Sequence, residues 1–153
     1  MSEYNVKIEF EADSKNESFS RIVAAAFVSR LDPTLEEMSD IKTAISEAVT
    51  NSIIHGYDNL GGKIIMEMYI DNMEFGVSIT DYGKGIEDIK QAMEPMYTTS
   101  KDDERSGMGF VFMEAFMDDL QVESVVSKGT TVRMKKIIGQ LGGDLSDGDF
   151  GTD

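Results

Sequence analysis

Two runs of alternating apolar and polar residues in the middle of this 153-residue chain are joined by a very short link. The runs are residues 63–70 and 73–81, and only Asp71 and Asn72 lie between them. Alternation with a period of two predicts strands with one buried face, and a two-residue link predicts a tight hairpin. Because parallel strands need a much longer connection, the sheet at the centre of the fold must contain antiparallel strands.

The rest of the chain predicts three more strands and three helices. Residues 4–11, 120–126 and 130–138 alternate in the same way as the central hairpin. Capping-box patterns at residues 14–17 and 34–37 begin two runs of apolar residues with helical spacing.

The first of these helices ends near Leu31, and the second runs toward Gly56. A short third helix is predicted from Gly107 to Phe116, after a long polar loop over residues 86–106. The order β-α-α-β-β-loop-α-β-β predicts an α+β two-layer sandwich, a mostly antiparallel or mixed sheet covered on one face by helices.

Length and composition favour one folded domain. We expect residues 1–138 to form it and the acidic, Gly/Asp-rich residues 139–153 to form a disordered tail. A net charge of −15 argues against direct nucleic-acid binding, and the absence of cysteine excludes disulfides and thiolate metal sites. No run is long enough to span a membrane and the N-terminus lacks signal-peptide features, so we expect a cytoplasmic protein.

Three polar residues of the second predicted helix, Glu47, Asn51 and His55, follow each other at intervals of four. This spacing places them on one line that borders the apolar stripe, so they should be half-buried. The spacing is consistent with residues of a functional site, and it is also consistent with an ordinary helix flank that carries incidental polar residues.

Asp81 continues the buried phase of its strand, in which Phe75, Val77 and Ile79 share one face. A buried carboxylate needs hydrogen-bond donors, and when ionised it only accepts, which suits an exocyclic amine such as that of adenine. Gly83 and Gly85 follow and permit a close approach of the backbone. The same residues could also be a turn at the end of a strand.

A Gly-x-Gly motif, Gly107-Met108-Gly109, precedes the third helix. Unpaired backbone N–H groups at a helix N-terminus favour phosphate, although a glycine-rich helix entry without a ligand has the same sequence. The chain contains neither a Walker A motif nor a Rossmann fingerprint.

These motifs follow one another along the chain in a fixed order. They are Glu47-x-x-x-Asn51, Asp81-x-Gly83-x-Gly85, the long loop, Gly107-x-Gly109 and Gly129-Thr130. Their order and spacing resemble the nucleotide-binding boxes of the GHKL, or Bergerat-fold, ATPases and kinases. Residues 47–57 and 104–110 look similar to the sporulation anti-sigma serine kinases of that family, and the resemblance covers about residues 1–138.

The resemblance implies a role for each matched position. Asn51 would coordinate Mg²⁺, Glu47 would orient or deprotonate the attacking serine, and Asp81 would bind the adenine amine while Gly83 and Gly85 approach the base. The segment from Met93 to Ser106 would form a lid, and Arg105 would act in catalysis by holding the phosphates. The other nucleotide-binding positions implied are Thr98, Thr99, Ser106, Gly107, Met108, Gly109 and Thr130.

The resemblance also implies partners. They are a sigma factor of the sigma F type, an anti-anti-sigma protein as the substrate, and a second copy of the chain in a homodimer. Arg21 would contact a partner, although its position opposite the apolar stripe also fits a solvated surface residue. Three alternatives stay open: a stress-response anti-sigma kinase, a histidine-kinase catalytic module, and an adaptor that binds ATP without transferring phosphate.

Overall fold

A computed structural model describes residues 4–94 and 108–139 of the chain. Its five strands form one sheet in the order β1-β2-β3-β5-β4, and every neighbouring pair is antiparallel. The strands are β1 (Tyr4–Glu11), β2 (Lys63–Asp71), β3 (Glu74–Asp81), β4 (Asp119–Val125) and β5 (Gly129–Ile137).

The helices form a second layer against one face of this sheet. Helix α2 packs between α1 and α4, and the Phe27 ring of α1 contacts the ring of Phe75 in β3. The helices are α1 (Ser14–Val28), α2 (Leu35–Asn51), α3 (Ile89–Ala92) and α4 (Gly109–Phe116). The predicted α+β two-layer sandwich is therefore confirmed in the part of the chain that the structure describes.

The core lies between the two layers and follows the predicted alternation. In β3, Phe75, Val77 and Ile79 are buried against the helices, and in α2 the predicted stripe is buried along its whole length. The opposite face of the sheet carries charged and polar side chains such as Lys7, Glu67 and Arg133. The pattern of one apolar face on each strand thus decides which side of the sheet the helices cover.

Both helix starts were predicted, but only one capping box is present. At α2, Thr34 and Glu37 bond reciprocally to each other's backbone N–H groups, as expected. At α1 the prediction was wrong by one residue, because the Asp13 side chain accepts from the Lys15 N–H and takes the cap position. The Glu17 carboxylate instead pairs with Arg21 at 3.2 Å.

The apolar stripe predicted for α1 is only partly buried; its residues are Phe19, Ile22, Val23, Ala26 and Phe27. Phe27 is in the core, but Phe19 is 48% exposed and Ile22 is 65% exposed. Ser20 and Ala24 are buried instead, because the helix turns its small residues toward α2.

Two loops also differ from the prediction. The central hairpin turns at Asn72 and Met73, because Asp71 still pairs with Glu74 and Asn72 adopts a left-handed φ of 57°. Part of the long predicted loop is helical, since α3 begins after Asp88, whose side chain accepts from the Gln91 N–H. Residues 95–107 lie outside the described residues.

Helix α2 continues into a wider, π-helical turn over Ser52–Gly56. The Tyr57 N–H donates to the Ser52 carbonyl at 3.0 Å, five residues back, where an α-helix would bond four residues back. A π-helical turn rotates the residues that follow it around the helix axis. Gly56 therefore does not continue the buried stripe of α2.

The last described residues fasten β5 to the rest of the domain. Ile138 is buried and its N–H donates to the Met73 carbonyl at 2.9 Å, while the Gly139 N–H donates to Glu37 at 2.8 Å. Residues 140–153 lie outside the described residues. Across residues 4–94 and 108–139, no helix is long and apolar enough to cross a membrane.

Candidate functional site

A cavity of about 490 Å³ lies where the C-terminal end of α2 meets the ends of β3 and β5. This volume falls within the range of small-molecule sites. The lining combines apolar groups with a few polar groups that converge from distant parts of the chain. It comprises Ala48, Asn51, Ser52, His55, Gly56, Asp81, Lys84, Gly85, Ile86, Glu87, Asp88, Gln91, Ala92, Phe110, Val126, Ser127, Thr130 and Val132.

Asp81 is the buried acidic group of this cavity, with only 4% of its surface exposed. Its carboxylate accepts from the Ser52 hydroxyl at 2.9 Å and from the Gly83 N–H at 3.0 Å. Burial raises the pKa of Asp81 above its ordinary value of 3.8, and the bonds from Gly83, Ser52 and the Thr130 backbone oppose that rise. The predicted burial of this carboxylate is confirmed.

The π-helical turn explains how Ser52 and Gly56 come to contact the end of β3. Ser52 is buried against Asp81, and the Gly56 carbonyl accepts from the Lys84 N–H at 2.9 Å. A Cβ atom on Gly83 would lie 2.0 Å from the Gly56 carbonyl oxygen, so only glycine fits this crossing. We did not identify Ser52 from the sequence as a site residue, although it belongs to the buried stripe of α2.

Gly85 is the second glycine of the predicted box and lies against the β4–β5 hairpin. It adopts a φ of 78°, and a Cβ atom there would lie 2.4 Å from the Val125 carbonyl oxygen. The Ser127 N–H donates to the Lys84 carbonyl at 2.8 Å across the same junction. The two glycines therefore allow residues 83–86 to form a thin wall between the helix end and the hairpin.

Thr130 lies directly opposite Asp81 in the pairing of β3 with β5 and is 9% exposed. Its hydroxyl oxygen is 2.8 Å from that of Ser124 in β4. Neighbouring side chains on one face of paired strands are close enough to act together, so the sheet brings Asp81 and Thr130 to one end of the cavity.

At the other end, Asn51 and Gly109 come together. Asn51 and Phe110 of α4 both line the cavity, and a Cβ atom on Gly109 would lie 3.0 Å from Asn51 Nδ2. Glu47 is half-buried one turn earlier on α2 and does not line the cavity, whereas His55 does. The polar line predicted on α2 is thus only partly turned toward the cavity.

The other predicted site residues lie either away from the cavity lining or outside the described residues. Met108 is half-buried just before α4. The remaining predicted phosphate and lid residues lie outside the described residues; they are Thr98, Thr99, Arg105, Ser106 and Gly107. Arg21 lies on α1 and does not line the cavity.

A second concavity, of about 560 Å³, lies on the open face of the sheet. Lys7, Glu67, Tyr69 and Arg133 are among its lining residues, and Asp81 is not. Because its side chains stand on a solvent-facing sheet surface, this larger space lacks the buried converging polar groups that mark a binding site. The smaller cavity is therefore the candidate site.

Comparison with known proteins identifies the family to which this fold belongs. Residues 10–136 match the histidine kinase-like ATPase domain. An anti-sigma F factor from Clostridium botulinum strain Eklund 17B is 58% identical over 137 residues, which are 89% of this chain and 96% of that protein.

Two solved structures share the fold at low sequence identity. One contains the RsbU and RsbW domains of a Mycobacterium tuberculosis protein, with a TM-score of 0.65 and 18% identity. The match covers 88% of this chain but only 32% of that longer one. The other is the catalytic domain of the histidine kinase ThkA, with a TM-score of 0.56, 14% identity, and coverage of 87% and 96% of the two chains. The chain therefore belongs to the histidine kinase-like ATPase domain family and, within it, to the anti-sigma F factors.

Proposed function

We propose that this protein is an anti-sigma factor of the sigma F type and an ATP-dependent serine kinase. ATP binds in the cavity between α2 and the ends of β3 and β5. Its terminal phosphoryl group is transferred to a serine of an anti-anti-sigma protein. The observation that carries this proposal is the buried carboxylate of Asp81, which converges with Ser52, Gly83 and Thr130 in a cavity of suitable volume.

Asp81 selects the base by its lack of a proton to donate. Ionised, it only accepts hydrogen bonds, so it binds the exocyclic amine of adenine and repels the carbonyl oxygen of guanine at the same position. Ser52 and Gly83 each direct a donor at this carboxylate and fix its orientation. Gly83 and Gly85 let the segment after β3 pass close to the Gly56 and Val125 carbonyl groups, which brings this segment to the edge of the cavity.

Asn51 supports a Mg²⁺ site at the phosphate end. Among the described residues, no group of three or more His, Asp and Glu side chains could hold a metal ion alone. Mg²⁺ prefers oxygen ligands and is commonly held by one or two protein groups together with substrate phosphates and water, which fits a single amide oxygen from Asn51. Bound there, Mg²⁺ would neutralise phosphate charge.

Glu47 is the proposed base for the attacking serine hydroxyl. It precedes Asn51 by four residues on α2, so the two side chains lie on the same side of the helix. Phosphoryl transfer depends mainly on positioning and charge neutralisation, so a carboxylate that orients the hydroxyl and accepts its proton is sufficient.

Backbone N–H groups at the start of α4 bind the phosphates. Gly109 begins this helix beside Asn51, and the absence of a Cβ atom lets the N-terminus of α4 approach the Asn51 side chain closely. Arg105, Ser106, Gly107 and Met108 complete the phosphate site, with Thr98 and Thr99 in the lid.

The partners follow from the same assignment: a sigma factor of the sigma F type, the anti-anti-sigma substrate, and a second copy of the chain. Arg21 contacts a partner from the surface of α1. Glu17 pairs with it at 3.2 Å and also accepts from the Ser46 hydroxyl of α2, so Arg21 is held rather than freely solvated. Residues 1–138 form the binding domain, residues 139–153 form a tail, and the protein acts in the cytoplasm.

A transfer assay tests this function. The chain is incubated with γ-labelled ATP, Mg²⁺ and a cognate anti-anti-sigma protein, and the modified residue is mapped. We expect acid-stable label on one serine of the partner. Acid-labile label would indicate histidine-kinase chemistry, and ATP binding without any transfer would indicate a non-catalytic adaptor; either result contradicts the proposal.

A further inference from the structure

Ser124 of β4 does not line the cavity, yet its hydroxyl group contacts three groups at the cavity's edge. It accepts from the Ile86 N–H at 2.8 Å, donates to the Gly129 carbonyl at 3.0 Å, and lies 2.8 Å from the Thr130 hydroxyl oxygen. Ile86 and Thr130 both line the cavity, on different walls. One hydroxyl group therefore connects the wall after β3 to the start of β5.

The other two bonds of Ser124 determine which hydroxyl group donates in its contact with Thr130. A serine hydroxyl has one hydrogen and two lone pairs. The Gly129 carbonyl can only accept, so it takes the Ser124 hydrogen, and the Ile86 N–H can only donate, so it takes one lone pair. The remaining lone pair accepts the hydrogen of Thr130.

In this arrangement Thr130 has no hydrogen left to offer to a ligand. Toward the cavity its hydroxyl oxygen is an acceptor, and it lies opposite the carboxylate of Asp81, which is also an acceptor. At this position an amine can bond to either acceptor, whereas the carbonyl oxygen that guanine carries in place of the adenine amine would find no donor.

We propose that Ser124 is a positioning residue that sets the base selectivity of the cavity without touching the ligand. This rests on the proposed binding of ATP at this site. By holding the Thr130 hydrogen, Ser124 prevents Thr130 from donating to a guanine carbonyl oxygen in place of the adenine amine. By bonding Ile86 it keeps the wall of residues 83–86 against the hairpin.

The test uses two variants of nearly the same shape. Ser124→Thr keeps the hydroxyl group, whereas Ser124→Val removes it. Calorimetric titration with Mg-ATP and with Mg-GTP gives both dissociation constants. We expect Ser124→Val to weaken ATP binding about fivefold, the value of one ordinary hydrogen bond, and to narrow the preference for ATP over GTP by at least as much. Ser124→Thr should retain both properties.

The matched control is Thr80→Val. The Thr80 and Thr131 hydroxyl groups lie 2.9 Å apart across β3 and β5, but on the opposite face of the sheet. This variant loses a similar bond away from the cavity, so its melting temperature should fall without a change in nucleotide preference. Ser124→Ala repeats the comparison if Ser124→Val does not fold, which circular dichroism detects.

Three results separate the possible failures. If Ser124→Val lowers the melting temperature as Thr80→Val does but keeps the wild-type ATP to GTP ratio, Ser124 is only structural and the inference is wrong. Loss of selectivity in Ser124→Thr as well would equally contradict it, because the hydroxyl group is then not responsible. A wild-type chain that binds neither nucleotide would instead overturn the proposed function, and this inference with it.

Discussion

The two ends of the cavity are held in different ways. At the base end, Asp81 is bonded to Ser52 of the π-helical turn and to Gly83, and Thr130 is bonded to Ser124 of the next strand. The bond from Ser52 joins segments that are far apart in the sequence, and the pairing of β3 with β5 brings Thr130 beside Asp81. The geometry of this end therefore belongs to the folded domain itself.

At the phosphate end, the side chains are positioned mainly by the four-residue spacing along helix α2. Glu47 and Asn51 are one turn apart on α2, and Asn51 faces the first residue of α4, Gly109. Under the proposed function the two ends have separate tasks: the sheet supplies binding selectivity, while α2 supplies the groups for transfer. Changes at one end should alter nucleotide affinity, and changes at the other should alter transfer.

Glu47→Ala should produce the largest separation of the two ends. Removal of a general base typically lowers a rate by about 10²- to 10⁴-fold, so transfer to the partner serine should fall by that amount. ATP affinity should stay within about twofold, because Glu47 does not line the cavity. Single-turnover assays and calorimetry measure the two quantities.

Glu67→Ala is the control for the loss of one carboxylate, since Glu67 is exposed on the open face of the sheet. It should leave both rate and affinity unchanged. Unchanged transfer in Glu47→Ala would remove Glu47 from the mechanism. A large loss of ATP affinity in that variant would show that the two ends are not separate.

Asp81→Asn should give the largest effect on affinity. The amide can present a donor where the adenine amine needs an acceptor, and a hydrogen bond to a charged group contributes about 1.5–3 kcal/mol, so ATP binding should weaken roughly 10- to 100-fold. The free energy of unfolding should change by less than about 1 kcal/mol, because the variant also avoids burying a charge.

Asp32→Asn is the matched control, because Asp32 is exposed and its left-handed φ of 51° also suits asparagine. Calorimetry and urea denaturation of both variants measure the two effects. Equal ATP affinity for Asp81→Asn and the wild type would contradict the assignment of the base end.

Ser52→Ala should have a smaller effect of the same kind. It removes one donor to Asp81 and leaves those of Gly83 and the Thr130 backbone, so ATP affinity should fall about fivefold while the transfer rate at saturating ATP stays the same. Ser78→Ala, on the open face of β3, provides the comparison. A reduced saturated rate in Ser52→Ala would show that the base end influences the chemistry as well as binding.

The sequence predicted the strands and the burial of Asp81 because both depend on a regular period. In β3, the alternation that buries Phe75 and Ile79 also buries Asp81, and in α2 the helical spacing places Asn51 near the core. The anti-sigma kinase resemblance rested on these same positions and is confirmed at the level of the family.

Two contacts of the site that depend on tertiary packing were not predicted. The bond from Ser52 to Asp81 depends on a π-helical turn, and the contacts of Ser124 depend on how a hairpin meets the loop after β3. The hairpin turn moved by one residue because Asn72 accepts a left-handed conformation. Such details follow from tertiary packing, which no local pattern records.

The smallest effect concerns pH and stability at the base end. Burial raises the pKa of Asp81 in the folded protein above its ordinary value of 3.8, so the unfolded chain ionises first as the pH increases. Between these two pKa values the folded state binds more protons, and the contribution of Asp81 to stability therefore falls as the pH rises. This contribution is fully present below pH 3.8 and is lost above the folded pKa.

Asp81→Asn should remove this trend. Urea denaturation of both proteins at several pH values from about 3 upward gives the difference in their free energies of unfolding. We expect this difference to shift in favour of the variant as the pH rises. Asp32→Asn keeps Asp81, so it should retain the pH trend that Asp81 gives to the wild type. A difference that is constant with pH would mean that Ser52, Gly83 and the Thr130 backbone fully offset the cost of burying the charge, and the base end would then bind nucleotide without an energetic penalty to the fold.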